Sequence, residues 1–351
     1  DAILELAGAD DVESGDAGEL AVSIFLGRGN NAGDGLVVAR LLAENGAKSF
    51  LYYLHEPDAF SPDAFKNYAK LDKARKSGNI EEVNLYLEGW EDKVVAGLGE
   101  SDLILDALLG TGINSPVRDE YADIIRLINN SRLPVMAVDI PSGINGSTGE
   151  VMGTAVMADI TITMALPKLG SVFYPGKAFS GSLEVVDIGI PDEVVAGAGL
   201  DTWVLDDMAA IADLPYHAPD AHKFAVGSLL VVAGSRRYAG AASLAAVSAL
   251  RSGCGIVYLA GPESIRTVVQ SIHPEVIFIA LPETGSGGVA KGALNIFDGA
   301  ALDGMKFDAA AIGPGMTSEE ETAAFVREFA ARCERPLLVD ADGINAFAGR
   351  Y

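Results

Sequence analysis

The chain is poor in cysteine, in positive charge and in aromatic rings. Cys254 and Cys333 are the only cysteines in 351 residues, and neither belongs to a CxxC pair, which argues against a disulfide framework or a thiolate metal knuckle. Lysine and arginine number 25 against 49 aspartates and glutamates, a net charge of −24. Nucleic acid needs a basic stripe to neutralise its phosphates, so none is expected as a partner. No apolar run approaches the roughly 20 residues of a membrane span, so no membrane partner is expected and the protein is read as cytoplasmic. His55, His217 and His273 have no companion at metal or triad spacing and are read as structural. Lys168 and Lys177, in loops after later strands, are read as solubilising. The first residue is Asp1 and the last, Tyr351, closely follows a strand and a turn, so both ends read as trimmed.

Forty glycines and 49% hydrophobic residues describe an α/β protein packed with small side chains, and the length favours two domains. Strands alternate with helices. Nearly continuous apolar strands are expected at Ala47–Leu54, Leu103–Ala107, Pro134–Ile140, Ile160–Ala165 and Leu183–Ile188, with helices at Ser61–Arg75 and Asp119–Asn129. That alternation predicts a parallel sheet covered on both faces, with functional residues at the carboxyl ends of the strands. The stretch Asp201–Pro219 reads as loop and holds the boundary between a domain at 1–210 and one at 211–351. A second series follows, with strands Gly227–Gly234, Ile256–Ala260, Phe307–Ile312 and Pro336–Val339 and a helix at Ala241–Ser252, and no repeat links the halves.

The most informative stretch is AVSIFLGRGNNAGDGLVVARLL, Ala21 to Leu42. A buried strand breaks into a turn in which Gly27, Gly29, Gly33 and Gly35 surround Asn30, Asn31 and Asp34, and a helix follows. Glycine removes the Cβ that would hold a phosphate away, and the helix directs free N–H groups at an anion. Two asparagines and an aspartate are poor choices for a bare turn, since they compete with the backbone for hydrogen bonds. The string GxGNNxGDG resembles the signature of the YjeF N-terminal family, the NAD(P)H-hydrate epimerases. DALLGTG from Asp106 and VDIPSG from Val138 match further segments in the same order. A strand-terminal aspartate can also simply cap the next helix, and that reading stays open for Asp106 and Asp139.

The resemblance implies a Rossmann-like three-layer domain and the following roles. Asn30, Asn31, Ala32, Gly33 and Asp34 contact the hydrated dinucleotide, and Gly110, Thr111, Gly112, Ile113, Asn114, Ser115 and Pro116 hold its phosphate region. Asp139 binds the hydrated ring and carries the proton. Asn31, Asp106 and Ser142 hold a potassium ion, a hard cation suited to oxygen ligands. Tyr121 matches a substrate-contacting position, although a tyrosine on a helix face is commonly core.

HKFAVGSLLVVAGSRRYAGAASLAAVSALRSGCG, from His222, resembles the opening of the ADP- or ATP-dependent NAD(P)H-hydrate dehydratases, implying a ribokinase-like second domain that uses magnesium with ADP or ATP. Ala241 and Gly315, the latter in Gly313-Pro314-Gly315, match hydrate-binding positions, and DADGIN from Asp340 fits as well. The TPHPGE-like, lysine-bearing and GTGD segments of that family do not follow, so only the N-terminal part of the domain is expected here, and a MENAG-like helix is expected but absent before residue 20. The implied protein is bifunctional: it epimerises the hydrates of NADH and NADPH and dehydrates the S form, and a homo-oligomer is expected. A ribokinase-type kinase with a Rossmann-like accessory domain and a non-enzymatic ligand-binding scaffold remain as alternatives.

Overall fold

The computed structural model of the chain describes residue 3 and residues 20–205, 207–214, 218–297 and 306–349. They fall into two units, Asp1–Thr202 and Trp203–Tyr351. The acidic lead-in before residue 20, apart from Ile3, lies outside the described residues, as does His217.

In the first unit the order is β1 (Ala21–Leu26), α1 (Asn30–Glu44), β2 (Lys48–Tyr53), α2 (Pro62–Ala69), α3 (Asp72–Ser77), β3 (Ile80–Asn84), α4 (Glu91–Glu100), β4 (Leu103–Ala107), α5 (Asp119–Asn130), β5 (Val135–Val138), β6 (Ile160–Met164) and β7 (Ser182–Val186). Seven strands form one sheet, β3-β2-β1-β4-β5-β6-β7, with every neighbouring pair parallel. All six residues of β1 are buried because side chains alternate across the pleat and both faces are covered. Val22, Ile24 and Leu26 join one core with Leu36, Ala39 and Leu42 of α1. Ala21 and Phe25 join the opposite core with Tyr121, Ile124, Ile125 and Ile128 of α5. The result is the three-layer, Rossmann-like arrangement.

Some expected elements differ. One helix over Ser61–Arg75 is instead α2 and α3, broken where Leu71, fully buried, turns into the first core. β3 carries IEEVN and is mostly unburied; as an edge strand it lacks the apolar run by which inner strands are recognised. Within the stretch read as loop, Asp207–Asp213 is helical.

The second unit runs β8 (Ser228–Val232), α6 (Ala239–Arg251), β9 (Ile256–Pro262), α7 (Arg266–Ile272), β10 (Ile277–Leu281), β11 (Ala309–Ile312), α8 (Glu320–Arg332) and β12 (Leu337–Val339). Its sheet is parallel, in the order β10-β9-β8-β11-β12, and has its own cores on the two faces. β1 in one sheet and β8 in the other each have an early neighbour on one side and a later strand on the other. The crevice for a ligand opens at such a reversal, above the carboxyl ends of the strands.

Candidate functional site

In the first unit that crevice lies between the tips of β1 and β4. Gly27 closes it: a Cβ there would stand 1.9 Å from the Leu108 carbonyl oxygen, so only glycine lets the two loops meet. α1 begins at Asn30, with Gly29 as its extended N-cap and no side-chain cap. The asparagines, Gly33 and Asp34 are therefore residues of the first helical turns, whereas the sequence suggested a turn. The helix starts earlier because Gly27 and Gly29 alone supply the reversal.

This registration sorts the signature by face. Asn30 Oδ1 accepts from Ser61 Oγ at 2.7 Å. Asn31 is buried and its Nδ2 donates to the Leu109 carbonyl at 3.0 Å. Ala32 is wholly within the core and Gly33 packs on the Ala64 backbone, so these two do not line the cavity. The cavity measures about 560 Å³ and is lined by Asn30, Asn31 and Asp34 of α1, by residues 108 to 118, and by Tyr121 and Asp139. It therefore gathers all seven residues from Gly110 to Pro116.

Asp106 is fully buried beneath it. Ser142 Oγ donates to its Oδ1 at 2.6 Å, the Ser142 amide to Oδ2 at 2.8 Å and the Leu108 amide to Oδ1 at 3.2 Å. Burial nonetheless dominates these three donors and pushes the carboxyl up to about 6. Ser142 Oγ also approaches the Leu109 carbonyl at 3.2 Å, the group that Asn31 engages. Asn31, Asp106 and Ser142 are thus brought together around Leu109.

Asp139 stands just past β5 in a left-handed conformation, φ 68°. Its Oδ1 faces Thr163 Oγ1 at 3.4 Å and the Met164 amide at 3.3 Å, and it pairs with Lys168 Nζ. Lys168 also donates to Thr163 Oγ1 at 3.0 Å and the Met164 carbonyl at 2.9 Å. The pair is mostly buried, 21% and 18% exposed for the lysine and the aspartate side chains. Asp34 is shifted upward first by burial and then by the like charge of Asp139.

On the cavity's other wall Tyr121 is buried and its hydroxyl lies 2.7 Å from His55 Nε2. Burial, helped by Arg28 and Arg118 against an opposing Glu120, lowers the imidazole's pKa. Burial raises that of the phenol.

In the second unit the expected pair also meets. Gly315, φ 68°, has no room for a Cβ, which would fall 2.7 Å from Ala241 Cβ and 2.8 Å from Tyr238 Cβ. The Gly234 amide donates to the Pro314 carbonyl at 2.8 Å and Ser235 Oγ to the Gly315 carbonyl at 2.8 Å. The loops after β8 and β11 are thereby pinned side by side at the sheet's reversal.

The family model for the YjeF-related protein N-terminus matches residues 3–170, and that for NAD(P)H-hydrate dehydratase matches residues 229–350. Each unit thus matches one of the two families. Among curated relatives it is 39% identical over 339 residues to a protein of Thermofilum pendens, covering 95% of this chain and 62% of that one. It is 39% identical over 337 residues to one of Salinibacter ruber, covering 94% and 61%, and 36% identical over 353 residues to one of Moorella thermoacetica, covering 99% and 65%. Each is named bifunctional NAD(P)H-hydrate repair enzyme Nnr. The chain spans 61–65% of the length of these relatives. Among the described residues no helix is long and apolar enough to cross a membrane.

Sequence reasoning missed four residues of this YjeF-type unit. Lys168, read as solubilising, is the partner of Asp139, and His55, read as structural, lines the cavity with Arg28 and Arg118. The available signal was position: Lys168 follows β6, the neighbour of β5 in the sheet, and His55 follows β2, the neighbour of β1. The strand-end rule that singled out Asp106 and Asp139 applies equally to these two.

Proposed function

We propose that the first unit interconverts the R and S hydrates of NADH and NADPH. The observation that carries this reading is the meeting of Asp139, Asp34, Asn30, Asn31 and the Gly110–Pro116 loop around one cavity, together with the match to the YjeF-related family and the relatives' name. Asp139 is the proton carrier. The hydroxylated C6 of the hydrated ring also bears the ring nitrogen, so Asp139 in its acid form can give its proton to the C6 hydroxyl, which departs as water while the nitrogen lone pair closes onto C6 and Asp139 is left as the carboxylate paired with Lys168. Water returning to the opposite face and surrendering its proton to the same carboxylate gives the other epimer. A positioned acid–base group of this kind contributes about 10²–10⁴-fold to rate. Lys168 and Thr163 hold the carboxylate in place from behind.

The oxygens near Leu109 suit a potassium ion. Asn31, Ser142 and the Leu109 carbonyl offer neutral oxygen, and Asp106 supplies one carboxylate that has no cationic partner in its immediate hydrogen-bonding shell. One negative charge among neutral oxygens matches a monovalent hard cation. Such an ion would supply fixed positive charge beneath the cavity and favour the ionised form of Asp106.

By the same reading the second unit, in the intact protein, removes water from the S hydrate with ADP or ATP and magnesium, Ala241 and Gly315 facing the hydrate. Among the described residues no group of three or more His, Cys, Asp or Glu side chains is placed to hold a metal ion.

The test is to supply purified R hydrate of NADH and follow the epimer ratio by chromatography. Asp139→Asn is expected to cut the rate by about 10²–10⁴-fold while circular dichroism stays that of the folded protein and the melting temperature falls because Lys168 loses its charge partner. Full activity in that folded variant would refute the role.

A further inference from the structure

The cavity of the first unit carries its charges apart. Asp34 acts on Asp139, whereas Arg28 and Arg118 both act on His55 and Tyr121, and all six residues line one space. The two arginines arrive from different elements: Arg28 lies between β1 and α1, its carbonyl accepting from the Ser61 amide at 2.8 Å, and Arg118 is the N-cap of α5.

The first unit has six arginines. Arg40, Arg75 and Arg126 are each ion-paired with a carboxylate within 3.0 Å. Arg28, Arg118 and Arg132 have no ion pair among the described residues, in a chain where acidic residues outnumber basic ones by 49 to 25, and of these three only Arg28 and Arg118 line the cavity. Glu120, which is exposed, opposes them on the same His55–Tyr121 pair. Two guanidinium groups carried by separate loops line one ligand-sized cavity, a donor set suited to a polyanion such as a diphosphate. The His55–Tyr121 pair gives that cavity a fixed, hydrogen-bonded surface.

We propose that Arg28 and Arg118 form an anion subsite that takes the diphosphate of the dinucleotide and so directs the uncharged hydrated ring to the Asp34–Asp139 end of the cavity. This inference rests on the reading of the unit as acting on a hydrated dinucleotide, and it adds the orientation in which that substrate binds. The reversed pose would set the diphosphate against two carboxylates.

The experiment measures two things on the full chain, epimerisation kinetics and calorimetric binding of ADP-ribose, which has the diphosphate without the nicotinamide ring. For the double variant R28Q/R118Q, the KM for the R hydrate is expected to rise at least tenfold with the loss falling on KM rather than kcat. The salt dependence of kcat/KM becomes shallower, and ADP-ribose binds at least tenfold more weakly. Arg132→Gln, outside the cavity, serves as the control for a general loss of positive charge. The loss should be equal for the hydrates of NADH and NADPH; a loss confined to the NADPH hydrate would place the 2′-phosphate there and overturn the assignment. Unchanged ADP-ribose affinity and KM in the double variant would also overturn it. An unsubstituted protein that binds ADP-ribose through these arginines but does not epimerise would leave the subsite standing while the catalytic reading fails.

Discussion

Asp139 occupies a conformation that non-glycine residues rarely adopt, φ 68°, at a cost of about 1–3 kcal/mol. The surroundings hold it there. Its amide donates to the Ile162 carbonyl at 2.8 Å and the Ile140 amide to the Val138 carbonyl at 2.8 Å, while the side chain is gripped by Lys168, Thr163 and the Met164 amide. An aspartate that only capped a helix would need none of this, so the strain is in keeping with a carboxylate aimed at the cavity. Asp34 is held against its charge rather than against its backbone preference. Burial and Asp139 raise its pKa, so the folded protein binds the proton more tightly than the unfolded chain does. Stability from this group is therefore present below the unfolded value, 3.8, and is lost as pH rises through the higher folded value. Asp34→Asn is expected to raise the melting temperature at pH 7, with the gain shrinking as pH falls toward 3.8. A gain that is the same at both pH values, or a loss at pH 7, would contradict this account of Asp34.

At the scale of elements, the site depends on how closely the loops after β1 and β4 approach. Gly27→Ala places a methyl carbon 1.9 Å from the Leu108 carbonyl oxygen, a contact relieved only by moving backbone. Overpacking of this kind costs about 1–3 kcal/mol. Leu109, which joins Asn31 to Ser142 through its carbonyl, follows directly, so epimerisation should fall by more than the stability loss explains. Gly99→Ala is the control, because its added Cβ would meet nothing within 4 Å and it lies outside the cavity. Chemical denaturation and initial rates on both variants test the comparison; equal effects would remove the loop contact from the account of the site. The second unit repeats the device at Gly315, where packing on Ala241 and Tyr238 leaves no space for a side chain.

For the whole molecule, each unit has its own sheet and its own cores on both faces, so a ligand of one unit should stabilise that unit's unfolding transition. A potassium ion on Asn31, Asp106 and Ser142 provides the test. Binding to the native state alone adds about 2.7 kcal/mol when the ion is at a hundred times its dissociation constant, and each kcal/mol moves the melting point by about 2–4 °C for a unit of this size. Replacing potassium by choline in differential scanning calorimetry is expected to lower one transition and leave the other in place, and Asp106→Asn should abolish the difference. A shift that persists in a folded Asp106→Asn protein would remove the ion from these residues.

The sequence alone determined the periodic and the local. Apolar runs of four to six residues specify inner parallel strands because both faces of such a strand are buried, and the order of glycine, asparagine and aspartate after β1 specifies which family's chemistry to expect. It failed where burial is partial or pairing is remote. β3 is an edge strand with polar faces, and the break at Leu71 follows from one side chain's place in the core. The partnership of Lys168 with Asp139 joins residues 29 apart in sequence, made neighbours only because β5 and β6 pair in parallel. The same is true of Arg28 and Arg118, which nothing in the sequence singles out until β1 and β4 are laid side by side. Strand propensity is a property of a few consecutive residues, whereas a cavity wall is made by strands brought together through long crossovers, and that adjacency was decided by the tertiary structure.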